Sequence, residues 1–284
     1  MKIDFNRLIE RGERVLLADG GSTKMEWLEL CDRKVIWRHE EPGVNPLTMG
    51  MQPLKDTFKR VLTLMPEAPV AVGYYGAGCT PKVCNELEKV IQQCFGCRGE
   101  CGSDLLLAAR LLCPHGEGLV CILGTGSNAG LFADGELKQR IPSLGYLLGD
   151  EGGAGYIGKH IVADCLRGIA DEAAMRRWHE LGLTEQDVLN NVYGESVKPA
   201  AWLGKISQLM SDCYAESEYL RNLVRKCLND FFTRLVLHYN LSDNTPIYFA
   251  GTPARHFADE LRQIGESYGL NIAEIVAKPF DKIF

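Results

Sequence analysis

The sequence predicts an α/β protein made of two related lobes. Three observations predict it. A short apolar run that ends in a glycine turn and continues as a second strand occurs twice, around residues 19–23 and 124–127. Buried-strand candidates alternate with segments of helical apolar spacing over much of the chain. The length, 284 residues, suits one large or two medium domains.

Residues 1–14 read as a short helix or arm. Val15-Leu16-Leu17-Ala18 is strongly apolar and ends in Asp19-Gly20-Gly21, after which Met25, Trp27 and Leu28 stand among polar neighbours. This is strand, glycine turn, strand. A third strand is expected over 35–38, and a loop over the Pro- and Gly-rich 42–46. Leu54, Phe58, Val61 and Leu62 mark a helix over 51–64. A buried strand over 70–75 ends at Gly76-Ala77-Gly78, and Pro81 opens a helix to Phe95. Ser103 is the candidate N-cap of an apolar helix over 104–112. The pattern breaks at Pro114-His115-Gly116 and restarts with strands over 119–123 and 128–132. Residues 141–153 are irregular and glycine-dense, and 155–240 read as mostly helical. A strand over 246–250, a helix over 254–268, a last strand over 271–276 and a tail over 279–284 complete the chain. The expected domains are 1–113, with 1–14 as an extra arm, and 114–284, with a helical insert.

Composition narrows the function. Lys and Arg total 31 against 37 Asp and Glu, a formal net charge of -6, so no basic field serves nucleic acid. No run approaches the roughly 18 apolar residues of a membrane span, and 1–14 lack the apolar core of a signal peptide. The chain holds 11 cysteines. Without a leader they point to a reducing, cytoplasmic setting and to thiols rather than disulfides. Cys94, Cys97 and Cys101 invite a metal or iron–sulfur reading, but a matched second pair and a flanking His are missing. Cys79, Cys113 and Cys121 sit in apolar surroundings, as buried thiols do.

The two glycine turns carry the chemistry. Backbone N–H groups without Cβ crowding point at phosphate oxygens, and Ser and Thr hydroxyls add donors. Either turn alone is a tight hairpin; the pair together points to phosphate binding. Asp19 is placed either to hold Mg²⁺ through water or to close an Asx turn. Lys24 either adds charge to the phosphates or is a solvated lysine. Asp104 is either a helix cap or the carboxylate that takes a proton from a hydroxyl in phosphoryl transfer. Gly149-Asp150-Glu151-Gly152-Gly153 is either a ligand loop or an acidic surface turn. Gly153, Gly155 and Gly158 match G-x-G-x-x-G, yet no strand precedes them and Asp171 and Glu172 fall in a helix, so a dinucleotide site is rejected.

Taken in order, Ala18-Asp19-Gly20-Gly21-Ser22-Thr23-Lys24, Gly43-Val44-Asn45-Pro46, Tyr75-Gly76-Ala77-Gly78, Ser103-Asp104-Leu105, 122–128, 144–152 and Ala250-Gly251-Thr252-Pro253-Ala254 resemble the family of N-acetylglucosamine kinases and BadF/BadG/BcrA/BcrD-type ATPases. The resemblance implies a two-lobed actin/hexokinase-like (ribonuclease H-like) fold with a nucleotide cleft between lobes. It implies ATP and Mg²⁺ as cofactors. Gly20, Gly21, Ser22, Thr23 and Lys24, with Gly124, Thr125 and Gly126, would form the two phosphate motifs. Gly251 and Ala254 would pack on the adenosine, and Asp19 would hold the metal. Asn45, Asp104, Ser127, Asn128, Gly145 and Asp150 would contact a sugar, with Asp104 the base. The family commonly dimerises, so a homodimer is expected. Two departures stand out. Gly251-Thr252-Pro253-Ala254 replaces a Gly-Ser-Val-Ala-like motif, and Leu144 stands where some kinases have an aromatic residue.

The leading expectation is an ATP-dependent amino-sugar kinase acting on N-acetylglucosamine, with glucosamine and N-acetylmuramic acid as close variants. A partner-activating ATPase with a shared iron–sulfur cluster and a nucleotide-bound sensor are the alternatives.

Overall fold

A computed structural model of the chain describes residues 3–21, 23–113, 116–195, 197–242 and 244–283. Ser22 of the first phosphate turn, Pro114 and His115 of the expected break, and Phe284 of the tail therefore lie outside the described residues. The chain divides into two compact units, one running through Leu111 and including the last residues from Lys282, the other spanning Leu112–Asp281.

In the first unit the elements are α1 (Phe5–Glu10), β1 (Val15–Gly20), β2 (Lys24–Cys31), β3 (Lys34–Pro42), α2 (Pro46–Met49), α3 (Gln52–Leu64), β4 (Ala71–Gly76), α4 (Pro81–Phe95), β5 (Arg98–Gly102) and α5 (Asp104–Leu112). The sheet order is β3-β2-β1-β4-β5. β1 pairs antiparallel with β2 and parallel with β4, and β4 pairs parallel with β5. The expected third strand is longer than 35–38, because β3 follows β2 along its whole length. β5 was not expected at all: Arg-Gly-Glu-Cys-Gly has no β-branched residue, and pairing with β4 makes it a strand. Trp27 of β2, Tyr74 of β4 and Phe95 of α4 gather around Phe58 of α3, with ring centres 5.6, 5.6 and 5.7 Å away. Such edge-on contacts add to the burial of large rings.

In the second unit β6 (Glu117–Leu123), β7 (Ser127–Ala133) and β8 (Glu136–Arg140) precede a helical stretch. That stretch comprises α6 (Gly145–Leu148), α7 (Ala154–Leu166), α8 (Glu172–Glu180), α9 (Glu185–Tyr193), α10 (Pro199–Met210) and α11 (Glu218–Arg234). β9 (Pro246–Ala250), α12 (Thr252–His256), α13 (Ala258–Ser267) and β10 (Asn271–Val276) follow. The expected helix over 254–268 is broken at Phe257, whose backbone leaves the helical region between α12 and α13. The sheet order is β10-β9-β6-β7-β8, with β6 antiparallel to β7, β7 antiparallel to β8, and β6 and β10 both parallel to β9. Each sheet thus has the order third, second, first, fourth, fifth of its own strands. The duplication read from two turns extends to the whole sheet.

The expectation of thiols alone is corrected. Cys84 of α4 and Cys101 of β5 are joined as a disulfide, with Cα atoms 5.0 Å apart. The β4–α4–β5 passage folds the start of the helix back beside the strand, a proximity that sequence spacing does not reveal. The other described cysteines are free.

Candidate active site

In the first unit the site residues gather at one end of β1, β4 and β5. Asp19 and Gly20 close β1, and the Ala77 N–H donates to Gly20 O (2.9 Å), tying the turn after β4 to the turn after β1. The Gly43 N–H donates to Thr23 O (2.9 Å), which anchors the other side of the first turn. Lys24 is ion-paired with Glu40. Asn45 caps α2, its Oδ1 accepting from Leu47 N (3.0 Å). Gly78 lies against it with φ +78°, and a Cβ there would stand 2.2 Å from Asn45 Oδ1. Only glycine admits this approach.

Asp104 opens α5 directly after β5. Ser103 Oγ caps the helix by accepting from Leu106 N (3.2 Å), and Asp104 Oδ1 accepts from Leu105 N (2.8 Å). Because Ser103 does the capping, Asp104 is half-buried at the helix head without being needed as the cap. The Tyr74 hydroxyl is fully buried and has no hydrogen-bond partner. Burial raises its pKa well above the ordinary phenol value, and the charges of Asp19 and Asp104 act in the same direction. The sequence places Tyr74 in a buried strand and does not single it out; its hydroxyl lies against Gly20, where a Cβ would stand 2.4 Å from it. Behind α5, Arg110 is hydrogen-bonded to the Tyr75 hydroxyl (2.6 Å) and paired with Glu100, which fixes the helix to β5.

In the second unit the turn 124–126 rests on α7. The Ala154 and Gly155 N–H groups donate to Gly124 O (2.9 Å) and Thr125 O (2.8 Å). Ser127 starts β7. Its N–H donates to Asp150 Oδ1 (3.2 Å), while its hydroxyl is buried without a partner. Asp150 also accepts from Ser143 Oγ (3.3 Å) and holds a left-handed backbone, φ 60°, of the kind that clusters at functional sites. Burial raises the Asp150 carboxyl above its ordinary value, against the opposing hydrogen bonds from Ser127 and Ser143 and the charge of Lys159. Ser127, Ser143, Leu144, Leu148, Asp150 and Arg234 line part of a cavity of about 250 Å³. Gly145 opens the one-turn α6 with φ +72°. Asn128 Oδ1 accepts from Ala129 N (3.0 Å). Gly251 follows β9, its N–H donating to Val276 O (3.1 Å), with Ala254 buried in α12 and Pro253 in that helix's first turn.

The sequence-derived residues thus fall into two groups. Asp19, Gly20, Gly21, Thr23, Lys24, Asn45 and Asp104 belong to the first unit, and Gly124, Thr125, Gly126, Ser127, Asn128, Gly145, Asp150, Gly251 and Ala254 to the second. The cysteine run does not form a group as spaced. The three cysteine sulfurs that lie within 4.8 Å of one another are those of Cys79, Cys84 and Cys101, not Cys94, Cys97 and Cys101.

No protein-family model and no curated protein matches this chain. Solved structures do. A Porphyromonas gingivalis protein assigned a candidate role as an N-acetylglucosamine kinase is 31% identical, with a TM-score of 0.88 over 95% of this chain and 96% of that one. A Chromobacterium violaceum protein with the same candidate role is 18% identical, with a TM-score of 0.65 over 95% and 97%. A ROK family glucokinase from Streptomyces griseus, solved with glucose and AMPPNP, shares the fold at 13% identity and a TM-score of 0.54 over 95% and 96%. The fold and the first of these likenesses define a sugar kinase of the two-lobed, actin-like class. The chain belongs to the family of sugar kinases that includes the Porphyromonas gingivalis protein.

Proposed function

We propose that this chain transfers the γ-phosphoryl group of ATP to a hydroxyl of an amino sugar, N-acetylglucosamine being the substrate and its 6-phosphate the product. The observation that carries this reading is the Ser127 hydroxyl, buried without a partner beside the Asp150 carboxyl in a small polar-and-apolar cavity. A buried polar group without a partner is costly, and a sugar hydroxyl would satisfy it. The acetamido methyl has Leu144 and Leu148 to pack on.

In this reading Asp104 accepts the proton of the attacking hydroxyl. Ser103 supplies the side-chain cap of α5 by accepting from Leu106 N, and Asp104 stands beside it, half-buried, at the helix head. Asn45 contacts the sugar. The turns 20–24 and 124–126 present backbone N–H groups to the phosphates, and Gly251 and Ala254 pack on the nucleoside. Asp19 is a carboxylate at a strand end, the oxygen donor that Mg²⁺ prefers, usually through water. Bound there, Mg²⁺ would neutralise charge developing on the phosphates. Cytoplasmic location, a homodimer and membership of the BadF/BadG/BcrA/BcrD group belong to the same reading.

The test is ADP release by purified protein with Mg-ATP over a panel of N-acetylglucosamine, glucosamine, N-acetylmuramic acid, N-acetylmannosamine and glucose. N-acetylglucosamine should give the highest kcat/KM. Asp104→Asn should lower kcat by ~10²–10⁴, the usual contribution of a positioned base, with little change in sugar KM. ADP release indifferent to every sugar would sink the reading.

A further inference from the structure

Three cysteines converge where the first unit holds two of its site residues. Cys79 lies in the loop after β4, Cys84 in the first turn of α4 and Cys101 in β5, and their sulfurs lie within 4.8 Å of one another. Cys84 and Cys101 are bonded. The bond sits between two segments that matter. On one side is the loop 76–80, whose Gly78 packs on Asn45 and whose Thr80 O accepts from Cys84 N (2.8 Å). On the other is Gly102, followed at once by Ser103 and Asp104. Neither Cys84 nor Cys101 is fully buried.

We propose that Cys84 and Cys101 are a reversible thiol-modification site for low-molecular-weight disulfides, and that their bond latches the supports of Asn45 and Asp104. The chemistry closes on itself. A Cys84 thiolate attacks one sulfur of a small disulfide RSSR, forms a mixed disulfide and expels RS⁻. The Cys101 thiolate then attacks the Cys84 sulfur, forms the internal disulfide and expels the second RS⁻. The two protons lost by the cysteines go to the two RS⁻, so the protein gives up two electrons and RSSR becomes two RSH. Excess RSH runs the sequence backwards. Cys79 stays out of the exchange: burial above all, then the charge of Asp104, pushes its thiol up to about 12. Where thiols are kept reduced, a disulfide of this kind is typically a sensor rather than a permanent staple.

The consequence for activity rests on the kinase reading above. A latched loop and helix start are pre-organised for the sugar and lose less freedom on binding. The oxidised form should therefore have a sugar KM roughly 3–10-fold below that of the reduced form through the support of Asn45, and a kcat no lower than the reduced form's, because Asp104 acts in the chemical step.

The experiment equilibrates the full chain with oxidised or reduced glutathione, traps free thiols with iodoacetamide and maps tryptic peptides. Cys84 and Cys101 fall in the separate peptides 83–89 and 99–110, and Cys94 and Cys97 in 90–98, so the linkage is read directly. Peptide 83–89 joined to 99–110 only in the oxidised sample, with the KM difference abolished in Cys84→Ser, is the expected result. Cys101→Ser serves the same purpose if Cys84→Ser does not fold. Absence of that linkage, pairing through Cys79, Cys94 or Cys97, or equal KM values in the two forms overturns the proposal. If no sugar is turned over in either form, the kinase reading falls by itself. The latch is then decided by amide hydrogen exchange over 77–104, where slower exchange in the oxidised form supports it and equal rates overturn it.

Discussion

Ser127 and Asp150 are neighbours with opposite liabilities. The Ser127 hydroxyl is buried without a protein partner, so Ser127→Ala removes a desolvation cost and should leave thermal stability unchanged or slightly higher. The same change should raise sugar KM ~5–30-fold, the worth of a hydrogen bond at a site built for one. Thermal melting and kinetics on one preparation check both halves. Burial raises the Asp150 carboxyl, so the folded chain keeps that proton to higher pH than the unfolded chain does. Its contribution to stability therefore declines as pH rises from the ordinary carboxylate value of about 4 to the raised one, and is flat above. Asp150→Asn keeps an acceptor for Ser127 N and abolishes the decline, so its melting temperature should exceed the parent's at pH 7 and converge with it below about pH 4. A melting temperature at pH 7 below the parent's would contradict this account of the site. Asp104 and Asp150 were visible in the sequence as carboxylates beside Ser and Gly in turns. Tyr74 was not, because an aromatic residue in a buried strand reads as core until its hydroxyl is seen to lack a partner.

The rejected dinucleotide motif acquires its meaning at the scale of the element. Gly153, Gly155 and Gly158 do not follow a strand; they bring α7 against the turn 124–126 and against α10. A Cβ on Gly153 would stand 2.7 Å from the Gly126 carbonyl carbon, and one on Gly158 would stand 1.9 Å from Leu203 O. Gly158→Ala should therefore cost ~2–4 kcal/mol as the two helices are forced apart, lowering the melting temperature by several degrees. Across the same contact, a Cβ on Gly204 would meet nothing nearer than 3.4 Å. Gly204→Ala should instead gain ~0.5–1 kcal/mol from helix propensity. Comparable destabilisation of both variants would show that the α7–α10 approach is not what the glycines serve. The hairpins β1–β2 and β6–β7, and most helices, were legible because their apolar periods and glycine turns are local. β5 and the Cys84–Cys101 bond were not. The first depends on pairing with β4, and the second on α4 folding back beside β5.

For the whole molecule, the sharpest prediction concerns acid. Three carboxylates act as ties in the two units. Glu41 is held below its ordinary value chiefly by hydrogen bonding to Arg60. Burial alone would push Glu100 up, but Arg110, the Ile3 N–H and the Tyr75 hydroxyl outweigh it and bring it below the ordinary value. Asp171 shows the same contest: burial raises it, while the N–H groups of Ala174 and Tyr219 and the Ser217 hydroxyl lower it on balance, joining α8 to α11. Each group has a folded pKa depressed relative to the unfolded chain. The stability it contributes is therefore complete above the ordinary carboxylate value of about 4 and is lost as pH falls through the depressed value. Asp150 works in the opposite direction, but one raised group does not offset three lowered ones spread over both units. The urea midpoint should thus be nearly flat from about pH 7 to 5 and fall steeply below about pH 4. Glu100→Gln leaves Arg110 without its carboxylate and should cost ~2 kcal/mol at pH 7. It should also shrink the acid-dependent loss, because one of the groups whose protonation unfolds the chain is already neutral. A urea midpoint that falls equally steeply with acid in the variant and the parent would mean that Glu100 is not one of the ties, and that the acid sensitivity resides in Glu41 and Asp171.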